Sequence, residues 1–238
     1  TTKNSTNYEY SISEVYNGTG YSDSTVPAQL ITIKGFTTPD PEDIYIKPDG
    51  TAVLNYYYTR NTYKVSFSSD KGTPSFSSIN IQFGDKYKLP EINTEGYTFL
   101  GWFTTSSGGS EKTTSSVVNT DSDHTLYAHW KINQYLVTLV KPAKGISAVT
   151  GGGTYNYKTE VTINATPATG YHWYRWTGDE IITTRSYKFT LGAAPKAYQA
   201  NAIPNEYTVQ YDCNGGTGTT PESKHVYDMA SELSAEKC

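Results

Sequence analysis

GYTFLGWF, residues 96–103, crowds aromatic rings and two glycines into eight positions of a 238-residue chain with only seven Phe and four Trp. Read as a strand, the stretch sends alternate side chains to opposite faces. Tyr97, Phe99 and Gly101 fall on one face, and Trp102 follows just past Gly101, where a bend or bulge swings the indole toward the core. A small β module has few large apolar groups, so Trp102 is expected inside. The cluster recurs as Gly170-Tyr171-His172-Trp173-Tyr174-Arg175-Trp176. Both copies read Gly-Tyr-x-aromatic-x-x-Trp, and Trp176 is expected in a core for the same reason.

A second recurrence reaches further along the chain. NTYKVSF, NQYLVTL and NEYTVQY share Asn-x-Tyr-x-Val, with Asn61, Asn133 and Asn205 each 72 residues apart. A weaker echo, NYEYSI, stands near residue 7. A fixed period of this kind marks tandem modules, and four units follow: 1–61, 62–132, 133–204 and 205–238. Laid on the second unit without a gap, the fourth places VYDMASEL (226–233) on QFGDKYKL (82–89) and Cys238 on Thr94. Residues 207–238 therefore read as half a module, expected to pack poorly unless it docks on the third unit. The joints TRNT, KINQ and IPNE contain no flexible spacer, which favours modules set end to end with restricted motion.

Within the units the apolar period is two. The second unit offers Tyr63/Val65/Phe67, Ile79/Ile81/Phe83, Tyr87/Leu89, the Gly-Tyr strand and Leu126/Ala128/Trp130. The third offers Tyr135/Val137/Leu139, Val161/Ile163/Ala165, the strand around Trp173, Tyr187/Phe189/Leu191 and YQANAI. In the first unit, IYIKPDGTAVLNYYY (44–58) predicts a hairpin turning at Pro48-Asp49-Gly50. YDMASELSAEK (227–237) is the best helix candidate, although its alignment with a turn and strand argues against it.

The remaining features narrow the function. Net charge is −4 with Lys and Arg scattered, so the basic surface that phosphate backbones require is missing and no nucleic-acid partner is expected. No run approaches the length of a membrane helix. The chain starts at Thr1 and not at Met, as expected of a mature form or an excised piece. Cys213 and Cys238 are too few for a disulfide framework, and their pairing is left open.

His124, His129, His172 and His225 lack metal-ligand spacing, and Asp121, Asp123 and His124 read as a polar loop before a strand. Glu160, Asp179 and Glu180 supply carboxylates without a catalytic context. TGGGT (150–154) reads as a turn between strands. No catalytic, cofactor-binding or metal-binding residues are expected, and the protein is not expected to be an enzyme. The surplus of Tyr, 22 in all, is what points to binding. Consecutive Tyr56, Tyr57 and Tyr58 must present rings on both faces of a strand. Tyr57, Tyr171 and Tyr174 are the candidate ligand contacts, against the plainer role of covering a thin sheet or filling joints.

These residues carry a family resemblance. The second unit, with Gly-Tyr-x-Phe-x-Gly-Trp and a closing TLYAHW, resembles the internalin-type B repeat, or Listeria–Bacteroides repeat. The fourth resembles its first half, and the third, with GISAVTGGGTYNYKTEVTINATPATGYHWYRWTG, resembles the divergent form of the repeat. The first, with GFTTPDPEDIYIKPDGTAVLNYYYTRN, is similar to the last part of a mucin-binding-protein repeat. The resemblance implies a mainly β (β-rich α+β) chain of tandem, small β-grasp-like modules in a large bacterial surface protein. That protein would be extracellular, cell-wall attached or secreted, with any membrane contact made through an anchor outside these residues.

It implies a stalk and possible adhesin whose partners are host glycans, mucin or host surface proteins, many weak contacts adding by avidity. Weak self-association by strand addition is a further expectation. The alternative is a carbohydrate-binding region of a secreted glycan-active enzyme.

Overall fold

Alternating apolar and polar residues make the chain mainly β, and there is no helix among the described residues. The computed structural model describes residues 24–27, 30–49, 54–218 and 222–232. The chain packs as two compact units, Thr1–Asn93 with Phe99–His129, and Thr94–Thr98 with Trp130–Cys238.

The first unit opens with four two-residue strands, β1 (Thr25–Val26), β2 (Phe36–Thr37), β3 (Ile44–Tyr45) and β4 (Thr59–Arg60). β1 pairs with β3 and β2 with β4, both antiparallel. Of the expected hairpin, residues 50–53 lie outside the described residues; Ile44 and Tyr45 pair backward with Val26 and Thr25, and residues 54–58 form no strand. The tyrosines of the expected second strand are held by side-chain bonds. Tyr56 accepts the Glu42 N–H and donates to its carbonyl, at 2.9 and 2.8 Å, and Tyr58 does the same with Ile31, at 3.2 and 2.7 Å. Side-chain hydroxyls satisfy backbone groups that a ladder would otherwise pair.

The next sheet comprises β5 (Thr62–Ser68), β6 (Ser78–Gln82), β7 (Tyr97–Phe103), β8 (Glu111–Lys112) and β9 (His124–Ile132). Their spatial order is β6-β5-β9-β7-β8, with β5 and β9 parallel. Parallel neighbours need a long crossover, and everything between β6 and β9 supplies it. Val65, Leu126 and Val118 are wholly buried, with Trp102 (1% exposed) and Tyr87 beside them. The Trp102 indole N–H donates to the Pro90 carbonyl at 3.1 Å, satisfying the one polar atom the ring carries inside.

The third stretch repeats this frame with β10 (Gln134–Val140), β12 (Gly153–Asn156), β14 (Tyr171–Gly178) and β16 (Lys196–Pro204), ordered β12-β10-β16-β14 with β10 parallel to β16. It adds a second sheet of β11 (Ile146–Thr150), β13 (Glu160–Pro167) and β15 (Ser186–Thr190). Val137, Val161, Ile163, Trp176, Leu191 and Tyr198 belong to the core.

A bulge of the kind expected beside Gly101 is present in β14. β14 pairs Trp173 with Ala202 and Arg175 with Asn201, leaving Tyr174 as the extra residue. Two residues three apart, Trp173 and Trp176, thereby meet with ring centroids 5.4 Å apart. In β7 the same spacing brings Phe99 and Trp102 to 5.6 Å, with Gly101 at a φ of 140° between them.

A last hairpin, β17 (Glu206–Val209) with β18 (Ser223–Val226), is antiparallel. It docks on the third stretch. Asn205 N–H reaches the Gly170 carbonyl at 2.8 Å, and Lys144 pairs with Asp228 at 2.7 Å. Of the helix candidate, residues 227–232 are turn and coil, and the rest lies outside the described residues, as does Cys238.

Candidate functional site

The three candidate tyrosines occupy different settings. With Tyr56 and Tyr58 pinned to backbone on one side, alternation turns Tyr57 the other way, where it is 51% exposed. Tyr174 sits at the crest of the β14 bulge, 45% exposed, and the Arg175 guanidinium lies 4.5 Å from its ring centroid. The guanidinium lies over one face of the ring, and the pair forms an amphipathic plate of the type that stacks on sugars or partner side chains. Tyr171 differs. Its ring meets Tyr227 edge to face at 5.6 Å, and its hydroxyl donates to Asp228 at 3.0 Å. Burial first and Asp228 second push the Tyr171 hydroxyl above its ordinary value. Tyr171 and Tyr174 lie in one strand on opposite faces, while Tyr57 belongs to the other compact unit.

The titratable groups singled out by sequence are engaged in the fold. Asp123 accepts the Lys64 N–H at 2.8 Å, and His124 lies 2.9 Å from the Tyr87 hydroxyl and 2.9 Å from the Ser122 carbonyl through its two nitrogens. Glu160 pairs with Lys188 at 2.6 Å, and Asp179 accepts the Ala197 N–H at 2.9 Å. Glu180 accepts from Lys196 at 2.9 Å and from Tyr187 at 3.1 Å, and the Lys196 ammonium holds its carboxyl below the ordinary range. Burial pushes the nearby Tyr198 hydroxyl far up. Among the described residues no three His, Cys, Asp or Glu side chains cluster as metal ligands, and no helix is long and apolar enough to cross a membrane. In the first unit a shallow groove of about 520 Å³ runs beside Trp102, lined by Pro90, Phe99, Glu111 and Lys112.

The geometry defines a protein of tandem β repeats whose polar side chains mostly serve the fold. Residues 63–129 match the Listeria-Bacteroides repeat domain, and residues 135–202 match the Divergent InlB B-repeat domain. Two curated proteins of Evansella cellulosilytica are similar as well. One, described as "Putative membrane protein", is 28% identical over 175 residues, 72% of this chain and 24% of its own length. The other, "Putative Gly-rich membrane protein", is 28% identical over 160 residues, 61% of this chain and 18% of its own length. The chain thus spans about a quarter or less of the curated relatives it matches.

Sequence reasoning found the bulged aromatic strand but not the partner of Tyr171. A signal was present, because the ungapped overlay of the fourth unit on the second already set Tyr227 on Phe83.

Proposed function

We propose that these residues form a non-catalytic spacer of a bacterial cell-surface protein, extracellular and held to the envelope by parts of the protein outside this chain. The observation that carries the reading is the succession of two different B-repeat matches in one chain, with the same Asn-x-Tyr frame continuing into the last hairpin. Repeats of this kind add reach with little new chemistry. The two larger relatives, both described as membrane proteins, support an envelope setting. In the same proposal Tyr57 and the Tyr174–Arg175 plate are adhesive contacts toward host glycans, mucin or surface proteins, weak singly and strengthened by repetition. The likeness of the first unit to a mucin-binding repeat makes mucin the first ligand to test.

The test is binding of the whole chain to immobilised mucin and a glycan array, beside a variant carrying Tyr57→Ala and Tyr174→Ala. Saturable binding that the variant loses makes the segment an adhesin. Absence of binding at high micromolar concentration removes the adhesive role and leaves the spacer. Tyr171 is kept intact, because its ring and hydroxyl hold Tyr227 and Asp228.

A further inference from the structure

One arrangement occurs three times, each time wholly inside one compact unit. A turn ends in a glycine with left-handed backbone, Gly35, Gly96 or Gly170, with φ of 80°, 76° and 80°. On it lies an aromatic side chain from the hairpin that follows. A methyl added to Gly35 would stand 2.2 Å from Phe83 Cγ, one on Gly96 2.0 Å from Tyr157 Cδ1, and one on Gly170 2.4 Å from Tyr227 Cδ1. The residue after each glycine meets the same ring edge to face: Phe36 with Phe83, Tyr97 with Tyr157, and Tyr171 with Tyr227.

Asparagine closes each arrangement. The N–H groups of Asn61, Asn133 and Asn205 donate to the carbonyls of Gly35, Gly96 and Gly170 at 2.9, 2.9 and 2.8 Å. Their own carbonyls accept the N–H of Phe83, Tyr157 and Tyr227 at 2.9, 2.9 and 2.8 Å. Their side-chain oxygens take Thr37, Thr98 and His172 Nδ1 as partners. The amide nitrogens of Asn61 and Asn205 reach the hydroxyls of Tyr63 and Tyr207, two residues on and on the same face of the strand. The Asn-x-Tyr repeated in the sequence is thus a working part of the junction.

We infer that each glycine turn is a docking surface whose partner is the first hairpin of the next repeat, recognised by Asn-x-Tyr on its first strand and an aromatic ring at the end of its second. The ring seats only because the glycine has no side chain. Each residue after the ring is also left-handed, Gly84, Lys158 and Asp228 at φ of 84°, 62° and 60°, so the tip backbone is the same whatever residue stands there. Accessory polar pairs then match particular neighbours: the Tyr157 hydroxyl donates to Glu95 at 3.1 Å, whereas Asp228 takes Lys144 and Tyr171. Repeats joined in this way share stability between neighbours. The hairpin β17–β18, a two-stranded element too small to be stable alone, owes its fold to the third repeat.

Hydrogen exchange on the full chain tests this. Tyr227→Leu and Gly170→Ala are each expected to speed exchange of the β17 and β18 amides at least tenfold while β13 and β16 stay protected. In the Tyr227→Leu background the glycine change should add less than it does in the parent, because the ring its methyl would strike is gone and only the strain of a side chain at a φ of 80° remains. Tyr227→Phe should stay within twofold of the parent, since Phe83 fills the same place. Unchanged protection of β17 and β18 in Tyr227→Leu, or an equal effect of Gly170→Ala in both backgrounds, overturns the inference.

Discussion

The second and third repeats are nearly the same length from first strand to Gly-Tyr cluster, yet one builds a single sheet and the other two. Both keep the parallel pair, the buried Trp and a turn whose left-handed residue, Gly84 or Lys158, donates to the carbonyl of Val118 or Leu191 at 2.8 or 2.9 Å. What differs is the filling. Residues 158–169, KTEVTINATPAT, alternate Val161, Ile163 and Ala165 and become β13; residues 84–95, GDKYKLPEINTE, have only Tyr87 and Leu89 before Pro90 and form no strand. β-branched alternation suits a pleated, half-buried surface, and proline ends it. Tyr187 and Phe189 build β15, whereas the corresponding loop of the second repeat is rich in Ser, Thr and Gly. A common frame thus tolerates two ways of covering its inner face.

Replacing the central indole should produce the largest effect and expose this difference. Trp176 is wholly buried in a core that includes residues of both sheets, so Trp176→Ala leaves a cavity that can collapse little. The cost is expected near the upper end of about 3–5 kcal/mol for such truncations. Trp102 faces the loop around Pro90 and the shallow groove beside it. Relaxation of that loop should hold Trp102→Ala toward the lower end of the same range. Denaturant unfolding followed by circular dichroism and by exchange in each repeat would decide it, and a costlier Trp102→Ala would break the comparison.

The frame was legible in the sequence because its devices are local. Gly-Tyr-x-aromatic-x-x-Trp announced the two buried indoles, and Asn-x-Tyr-x-Val announced the first strand of each repeat. The second sheet was partly legible: Val161/Ile163/Ala165 and Tyr187/Phe189/Leu191 read as strands, but β11 did not, and neither did β12 of the four-stranded sheet, because glycines separate the two and one face of each is solvated. In the described part of the hairpin expected across residues 44–58, the pairing partners are not local. Ile44 found Val26, and the tyrosine hydroxyls found distant backbone. Of the candidate ligand contacts, exposure at Tyr57 and Tyr174 followed from alternation and a bulge, while the engagement of Tyr171 depended on a ring 56 residues away in the chain.

A smaller effect is expected at the shared turn. Lys158 holds a left-handed backbone where the second repeat has Gly84, a conformation that costs a side chain about 1–2 kcal/mol. Lys158→Gly should stabilise the third repeat by roughly 0.5 kcal/mol, since glycine's looser unfolded state and the lost contact of Lys158 Nζ with the Tyr157 ring, 5.4 Å from its centroid, offset part of the relief. Gly84→Lys should destabilise the second repeat by about 1 kcal/mol. Thermal melts of the two variants check the pair, and shifts of the same sign would show that the turns are not equivalent.

The smallest effect concerns acid. Glu180 is held below its ordinary value of 4.5, first by the Lys196 bond. A carboxyl with a lowered folded value stabilises the fold above its unfolded value, and that contribution fades as pH falls through the folded one. Both side chains are partly solvated, at 43% and 28% exposure, so screening keeps the contribution below about 1 kcal/mol. Stability of the third repeat measured from pH 6 to pH 2 should decline in this window, and Glu180→Gln should flatten part of the decline. The Arg60–Asp85 pair at 2.6 Å, between β4 and the turn after β6, offers the contrast: Asp85→Asn should leave the acid response of the third repeat untouched. Equal flattening by both substitutions would mean that the acid sensitivity is a property of net charge rather than of the Glu180 pair.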